Sequence, residues 1–249
     1  MEAVVIIPAR YASARLPGKP LAPIAGKPMI QHVYERAGRA KLVREVLVAT
    51  DDQRIARAVE TFGGHAVMTP EEIHSGSDRI AHVARGLSSA GVIVNVQGDE
   101  PLIEPSMIDA AIRPLLEDPS LRMSTLVRVI DSTDELHNPA IVKVVLDRQD
   151  FCLCFSRSAI PYLRDAGTAD WPRHHRYYQH IGLYCYRREF LLEFAQMRQT
   201  PLELAEKLEQ MRVLEHGYRI KAVVTTGRSA PVDTPDDLTH VRTLIGHHA

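Results

Sequence analysis

A regular alternation of strand-like and helix-like segments in the first hundred residues is the feature that most constrains the fold. Residues 3–7 form an uninterrupted apolar run of mainly β-branched side chains, which is typical of a parallel strand buried on both faces. The pattern that follows predicts a helix over residues 29–41, with Pro28 at its first position, and a second strand over residues 45–50. Strands that alternate with helices imply a predominantly parallel sheet flanked by helices.

The same reading extends to the end of the chain and predicts one α/β domain. Asp51 or Asp52 can cap a helix through residue 62, which Gly63 and Gly64 would end. The remaining predicted elements are strands over 65–68 and 92–97, a helix opened by Ser77 or Asp78 and reaching residue 87, a helix over 106–116, strand-like segments over 124–129, 142–146, 152–155 and 181–186, a helix over 202–214, a strand over 220–224 and a helix over 235–245 capped by Thr234. Periodicity leaves the strand order of the second half open, including antiparallel strands or a dimerisation arm.

Composition narrows the classes of partner. Hydrophobic residues make up 45% of the 249 residues and charged residues 24%, as in a globular protein that folds on its own. The formal net charge of -1 supplies no overall field for nucleic acid or an anionic membrane, so neither partner is expected. The three cysteines, Cys152, Cys154 and Cys185, lack a disulfide or zinc pattern and are expected to be reduced thiols. With no targeting segment at the start, a cytoplasmic location is expected.

The loop from Arg10 to Lys19 directly follows the first predicted strand, and ligands of such sheets bind at the carboxyl ends of the strands. Between residues 3 and 34 the chain contains four cations, Arg10, Arg15, Lys19 and Lys27, and no Asp or Glu. Unneutralised Arg and Lys suit the oxygens of a triphosphate, although charge alone equally allows a solvated basic turn. Ser13 and Pro20 exclude a Walker loop, and no G-x-G-x-x-G follows the strand.

Carboxylates follow the fourth predicted strand at the same edge. Asp99 is a candidate Mg²⁺ ligand, because this ion takes one or two carboxylates together with phosphate oxygens and water. An acidic pair after a strand is otherwise a turn or a cap, and only its position beside the basic loop favours the metal. Asp233 precedes the Thr234 cap and can complete the site with Asp99.

Three further polar segments carry weaker signals. The run from His74 to Arg79 reads as a flexible loop that enters a helix, where small residues allow backbone approach to a base or ribose. A polar stripe on the predicted 202–214 helix is expected to be solvated, although a sugar-binding face would look the same; its members are Glu203, Glu206, Lys207 and Gln210. The pairs His174-His175 and His247-His248 show no metal-ligand spacing and are expected at the surface.

Several segments in order resemble those of the 3-deoxy-manno-octulosonate cytidylyltransferase (CMP-Kdo synthetase) family. They are Ile6-Ile7-Pro8-Ala9-Arg10-Tyr11, Arg15-Leu16-Pro17-Gly18-Lys19-Pro20-Leu21, Ser75-Gly76-Ser77-Asp78-Arg79, Val94-Asn95-Val96-Gln97-Gly98-Asp99-Glu100-Pro101, Val142-Lys143-Val144-Val145, Phe155-Ser156-Arg157, His180-Ile181-Gly182-Leu183-Tyr184, Leu208-Glu209-Gln210-Met211-Arg212-Val213-Leu214 and Val232-Asp233-Thr234-Pro235. The resemblance covers nearly the whole chain.

The resemblance implies a nucleotidyltransferase-type fold, a homodimer, and Mg²⁺-dependent transfer of CMP from CTP to the anomeric hydroxyl of Kdo (3-deoxy-manno-octulosonate) for lipopolysaccharide synthesis, with release of pyrophosphate. By matched position it implies triphosphate and catalytic roles for Arg10, Arg15, Lys19 and Asp99, and contacts around the nucleotide from Ala9, Ser13, Ser75, Gly76, Arg79 and Gln97. It also implies a sugar site of Arg157, His180, Tyr184, Glu209 and Gln210, and metal ligation by Asp99 and Asp233.

The resemblance further divides the single domain into a nucleotide-binding part, about 1–115, and a sugar-binding and dimerisation part, about 120–249. Residues 162–175 fall where the family varies in length, so no sugar contact is assigned to them. Two alternatives stay open: activation of another acidic sugar, such as 8-amino-Kdo or a sialic acid, and a nucleotide-binding protein without catalysis.

Overall fold

The structure is a computed structural model, and it describes residues 2–12, 16–227 and 229–246. Its strands are β1 (Glu2–Ala9), β2 (Pro23–Ile24), β3 (Lys27–Pro28), β4 (Val43–Thr50), β5 (His65–Met68), β6 (Ala90–Asn95), β7 (Met123–Val129), β8 (Lys143–Leu146), β9 (Cys152–Ser156), β10 (Tyr178–Arg187) and β11 (Lys221–Val224). Its α-helices are α1 (Met29–Ala37), α2 (Gln53–Thr61), α3 (Gly76–Ala84), α4 (Pro105–Glu117), α5 (Thr133–His137), α6 (Trp171–His174), α7 (Arg188–Phe194), α8 (Pro201–Glu206), α9 (Met211–Glu215) and α10 (Pro235–Gly246).

Nine of these strands form one mixed, mostly parallel sheet. Its main path runs in the order β11-β7-β10-β6-β1-β4-β5, and β8 joins β10 to β9. Strand β1 pairs in parallel with β4 and β6, whereas β10 runs antiparallel between β6 and β7. The predicted fold class is therefore confirmed, and the antiparallel strands that periodicity left open belong to the second half of the chain.

Successive side chains of β1 point to opposite faces of the sheet, and both faces are apolar, so helices cover both. Val5 and Ile7 pack in one core cluster with Ile30 and Val33 of α1. Val4 and Ile6 belong to a second cluster, on the other face, that contains residues of α3 and α7. Because β1, β4 and β6 run in parallel, the residues that follow their carboxyl ends meet at one edge of the sheet.

Two predicted helix starts are corrected by the backbone. Pro28 has an extended conformation and lies at the N-cap of α1, one position before the predicted place, and α1 ends at Ala37 rather than at residue 41. Ser75, and neither Ser77 nor Asp78, caps α3, because its side chain accepts a hydrogen bond from the backbone N–H of Asp78. The cap predictions at Asp52 and Thr234 are confirmed, each by a side-chain bond to the first turn.

The predicted helix over 202–214 was wrong as a single element. It is divided into α8 and α9, because Lys207 adopts a left-handed backbone conformation with φ of 54°. Glu203 and Gln210 are buried at 4% exposure each, so the expected solvated stripe is wrong for these two residues.

Smaller expectations also have outcomes in the structure. Cys152, Cys154 and Cys185 are free thiols on strands, as predicted, and His174 and His175 are exposed, whereas His247 and His248 lie outside the described residues. In the part of the chain that the structure describes, no helix combines the length and apolarity that a membrane crossing requires.

Candidate active site

The loop after β1 closes on itself and returns Lys19 to the edge of the sheet. The backbone N–H of Gly18 donates to the Tyr11 carbonyl at 3.0 Å, so the two ends of the loop meet. Gly18 has φ of 69°, and a Cβ there would lie 3.1 Å from the Tyr11 ring. Only glycine adopts this φ without strain and also leaves room for the Tyr11 ring. The next residue, Lys19, therefore lies at the sheet edge.

Lys19 lies between two carboxylates that come from distant parts of the chain. Its Nζ donates to Asp99 Oδ2 at 2.6 Å and to Asp233 Oδ1 at 3.1 Å. Burial by itself lowers the pKa of Lys19, but the charges and hydrogen bonds of Asp99 and Asp233 outweigh it, so this pKa is raised above its ordinary value. The ammonium is therefore fully charged at neutral pH.

Backbone contacts hold the two carboxylates together. A Cβ on Gly98 would lie 3.0 Å from the Pro8 carbonyl oxygen, so glycine permits the segment after β6 to approach the end of β1. The backbone N–H of Val232 donates to the Asp99 carbonyl at 2.9 Å, which brings Asp233 beside Asp99. The predicted convergence of Lys19, Asp99 and Asp233 is thus present in the geometry.

These carboxylates suit a divalent cation of the Mg²⁺ type. In the structure the Lys19 ammonium occupies the position between them, which shows that the two groups share one cation-attracting point. Within residues 2–12, 16–227 and 229–246, no group of three His, Cys, Asp or Glu side chains forms a metal cage. Two carboxylates completed by phosphate oxygens and water are the donor set that Mg²⁺ ordinarily takes, so the residues fit this ion.

Glu100 adds a third acid next to this point. Its pKa is raised to about 8, first by burial and then by the charges of Asp99 and Asp233. The Ser229 hydroxyl donates a hydrogen bond to one of its carboxyl oxygens. At neutral pH Glu100 is therefore mainly protonated and adds little negative charge to the edge.

Arg10 and Arg79 share one carboxylate at the end of β4. Asp51 Oδ2 lies 3.4 Å from Arg10 Nε and accepts from Arg79 Nη2 at 2.7 Å. Arg79 is 0% exposed and also donates to the Ile73 carbonyl at 2.8 Å and to the Thr69 hydroxyl. Its guanidinium thus supports the loop before α3 from behind rather than facing the space where a nucleotide would lie.

Arg10 remains at the surface of the same edge. Its side chain is 35% exposed, and Nη1 donates to the His74 carbonyl at 3.1 Å. Ala9 is the buried last residue of β1 and pairs with Thr50, while Ser75 and Gly76 begin α3 close by. Ser13 and Arg15, which the sequence also assigned to the phosphate loop, lie outside the described residues.

A cavity of about 410 Å³ extends from the carboxylates towards the second half of the chain. Its lining includes Gln97, Asp99, Glu100, Arg128, Gln179, His180, Tyr184, Lys207, Glu209, Gln210 and Ser229. Two buried amide atoms, Gln210 Nε2 and Gln179 Oε1, have no hydrogen-bond partner in the part of the chain that the structure describes. Buried polar atoms in this state favour a ligand that carries both donors and acceptors.

The aromatic wall of this cavity is neutral at physiological pH. Burial lowers the pKa of His180 to about 3, and its Nε2 lies 3.0 Å from the Thr125 hydroxyl oxygen. Burial also raises the pKa of Tyr184 far above its usual value. The two rings lie 5.3 Å apart, so both act as neutral hydrogen-bonding groups rather than as charges.

Arg157 lies apart from the other sugar residues that the sequence predicted. Its Nε donates to the Glu206 carbonyl at 2.9 Å and its Nη1 to the Pro139 carbonyl at 3.0 Å, and the residue is absent from the cavity lining. The cations that line the cavity are Arg128 and Lys207. The sequence prediction missed Arg128, although a basic residue inside a buried strand was an available signal. Lys207 belonged to the polar stripe for which both a solvated face and a sugar-binding face were left open.

Taken together, the α/β sheet, the cationic loop and the paired carboxylates at its carboxyl edge define a nucleotidyltransferase. A family model described as cytidylyltransferase matches residues 4–220. The chain is 57% identical over 246 residues to the 3-deoxy-manno-octulosonate cytidylyltransferase of Geotalea uraniireducens (strain Rf4), with 97% of this chain and 98% of the relative covered. Its identity to the same enzyme of Geobacter metallireducens (strain ATCC 53774 / DSM 7210 / GS-15) is 56%, with 97% and 96% covered.

Structural comparison agrees with the sequence relatives. A solved structure of CMP:2-keto-3-deoxy-manno-octonic acid synthetase complexed with CTP has a TM-score of 0.94 and 44% identity to this chain, and the match covers 100% of both. The chain belongs to the cytidylyltransferase family and, within it, to the 3-deoxy-manno-octulosonate cytidylyltransferases. The resemblance found in the short sequence segments is therefore confirmed.

Proposed function

We propose that this protein transfers CMP from CTP to the anomeric hydroxyl of Kdo, releasing pyrophosphate and activating Kdo for lipopolysaccharide synthesis. The observation that carries the proposal is the convergence of Lys19, Asp99 and Asp233 beside a polar cavity. It occurs in a chain that is 44% identical, over its whole length, to a synthetase solved with CTP.

The nucleotide half of the proposed site is built from the first part of the chain. Arg10, Arg15 and Lys19 would bind the triphosphate, with Ala9, Ser13, Ser75, Gly76 and Gln97 around the rest of the nucleotide. Arg79 acts from behind, through Asp51, as its burial indicates. Asp99 and Asp233 would hold Mg²⁺, which when bound offsets negative charge on the phosphate oxygens.

Positioning and charge neutralisation would then account for the chemistry. Lys19 carries a full positive charge next to the two carboxylates, and moving its flexible ammonium onto a phosphate oxygen offsets the charge that grows on the departing pyrophosphate. Such a phosphoryl transfer needs an attacking oxygen held in line with the α-phosphorus and requires no covalent enzyme intermediate.

The sugar half would be the cavity beyond the carboxylates. Kdo is a polyol with a carboxylate, so it offers donors and acceptors to Gln210 Nε2, Glu209 and the neutral His180 and Tyr184. Positive charge for its carboxylate is available from Lys207 on the cavity wall, together with Arg128 if it leaves Glu135 and Arg157 if it leaves its carbonyl partners.

The test is pyrophosphate release from CTP, Mg²⁺ and Kdo, with a reaction lacking sugar as background. We expect Kdo-dependent pyrophosphate release by the wild type. Turnover should fall about 100-fold or more in Asp99→Asn, because a cation-binding carboxylate is lost, and should stay normal in Asp150→Asn. Asp150 is a matched control because it lies exposed in the β8–β9 turn, next to Lys221 at the opposite end of the strands. Wild-type release no greater than the background would refute the function, and near-normal turnover of Asp99→Asn would remove Asp99 from the metal site.

We also propose a homodimer in the cytoplasm, where CTP is available. Support for a subunit contact comes from β9. Among the described residues this strand pairs in the sheet only with β8, so its other edge is open, and its Leu153 is 59% exposed. Support for a reducing compartment comes from the three free thiols. Sedimentation of the purified protein measures the assembly, and a monomer at micromolar concentration would contradict it.

A further inference from the structure

A hydrogen bond joins the helix of the nucleotide side to the turn of the sugar side. Ser77, in the first turn of α3, is 3% exposed, and its hydroxyl donates to Glu209 Oε2. Ser75, two residues earlier, caps the same helix and belongs to the proposed nucleotide half. Glu209 lies in the turn between α8 and α9 and lines the cavity that begins at Asp99.

The other carboxylate oxygen of Glu209 has a different neighbour. Glu209 Oε1 lies 3.6 Å from Arg212 Nη2, and Arg212 in turn forms a two-bond ion pair with buried Glu203, at 2.8 Å and 2.5 Å. This pair ties α8 to α9 and thereby supports the turn that Lys207 opens. Because Arg212 is already engaged by Glu203, the Ser77 hydroxyl is the short contact that fixes the direction of the Glu209 carboxylate.

We propose that Ser77 is a positioning residue for the sugar half of the site, acting through Glu209, and this inference rests on the proposed function. Ser77 holds the Glu209 carboxylate facing the cavity, so that a sugar hydroxyl meets an acceptor that is already oriented. The Ser75 cap of α3 does not use the Ser77 hydroxyl, so losing the Ser77 bond leaves the cap on the nucleotide side in place.

The kinetic test separates the two substrates. Ser77→Ala removes this donor without adding bulk, and it also removes a hydrogen-bond partner of the buried Tyr186 hydroxyl. We expect the KM for Kdo to rise about tenfold, because a hydrogen bond to a charged group is worth about 1.5 kcal/mol or more, which is at least a tenfold change in affinity. The KM for CTP should stay within about twofold of the wild type, because no phosphate or cytidine contact is assigned to Ser77. Ser77→Thr keeps the hydroxyl and should restore most of the KM for Kdo.

A matched control is Ser124→Ala, which removes an equally buried hydroxyl that donates to the Ala111 carbonyl at 2.5 Å. It measures the effect of losing one buried hydrogen bond away from Glu209. The Glu209→Ala background supplies a second check, since a residue that acts only through Glu209 has no further effect once that carboxylate is gone.

A pH profile adds a readout that packing alone would not move. Burial raises the pKa of Glu209 above its ordinary value, while the Ser77 hydrogen bond and the Arg212 charge oppose this rise. Removing the Ser77 donor should raise this pKa further, so the acid limb of kcat/KM for Kdo moves to higher pH. The titratable or charged groups around Glu209 are Asp78 on α3, Glu203 on α8, Lys207 in the turn, Arg212 on α9, and Tyr184 and Tyr186 on β10.

The outcomes distinguish this inference from the function on which it rests. No Kdo-dependent turnover by the wild type would refute the function itself. The positioning role is supported if the wild type is active, if Ser77→Ala raises only the KM for Kdo, and if this effect disappears in the Glu209→Ala background. The role is overturned if Ser77→Ala leaves the KM for Kdo within twofold, if both KM values rise together, or if its effects match those of Ser124→Ala.

Discussion

The shared carboxylate of Asp51 provides a stability test of how the nucleotide edge is built. In Asp51→Asn the amide oxygen can still accept one hydrogen bond, but the buried Arg79 guanidinium loses its negative partner. Breaking a buried ion pair costs about 3–5 kcal/mol, and the 12% exposure of the Asp51 side chain, with the retained hydrogen bond, favours the lower end, ~3 kcal/mol.

Thermal unfolding followed by circular dichroism measures this cost. For a chain of this size each kcal/mol lowers Tm by roughly 2–4 °C, so we expect Asp51→Asn to lower Tm by about 6–12 °C. The adjacent Asp52→Asn is the matched control, because asparagine keeps the N-cap of α2 and only an ion pair with the 60% exposed Arg54 is lost. Equal Tm values for the two variants would show that Arg79 does not depend on Asp51, and the proposed support of the loop before α3 would be wrong.

Three further predictions test other parts of the site. Folding lowers the pKa of His180 from 6.5 to about 3, so the stability that the neutral ring contributes is fully present above pH 6.5 and is lost as pH falls towards 3. We expect urea unfolding to give a free energy of unfolding ~1.4 kcal/mol lower at pH 5.5 than at pH 7.5 because of this group, and His180→Asn should remove that difference. At Lys207, where φ is 54°, we expect glycine to give a protein about 1 kcal/mol more stable than alanine, and equal stabilities in urea would contradict the left-handed turn. Gly98→Ala places a Cβ 3.0 Å from the Pro8 carbonyl, so we expect a loss of about 1–3 kcal/mol and lower turnover, whereas Gly86→Ala, with its nearest contact at 3.6 Å, should change neither.

The parallel half of the fold was predictable because its signals are local. Its strands are short apolar runs, and α2 begins at a recognisable cap, Asp52. The antiparallel insertion of β10 between β6 and β7 was not predictable, because strand order depends on contacts between residues far apart in the chain. Periodicity gives the face of a strand but not its neighbour.

The break between α8 and α9 shows the same limit inside the site. Residues 202–214 contain no glycine or proline, so the local pattern favours one continuous helix. The structure nevertheless places Lys207 in a left-handed conformation, and the buried pair of Glu203 and Arg212 ties the two short helices together. Tertiary ion pairing therefore outweighs helix propensity here, and it brings Glu209 and Gln210 to the cavity.

The segments that resemble the family meet at one edge of the sheet, but their residue types do not separate residues that face the open edge from residues that support them. Arg79 and Lys19 are both cations in matched segments, yet Arg79 is wholly buried against Asp51, whereas Lys19 meets two partly exposed carboxylates. A buried support must match its partners as closely as a binding residue must match a ligand, so residue type alone carries the same signal for both. The distinction depends on which side of the sheet edge the charge faces, and that is set by contacts such as the Val232 to Asp99 backbone bond, which joins segments more than a hundred residues apart.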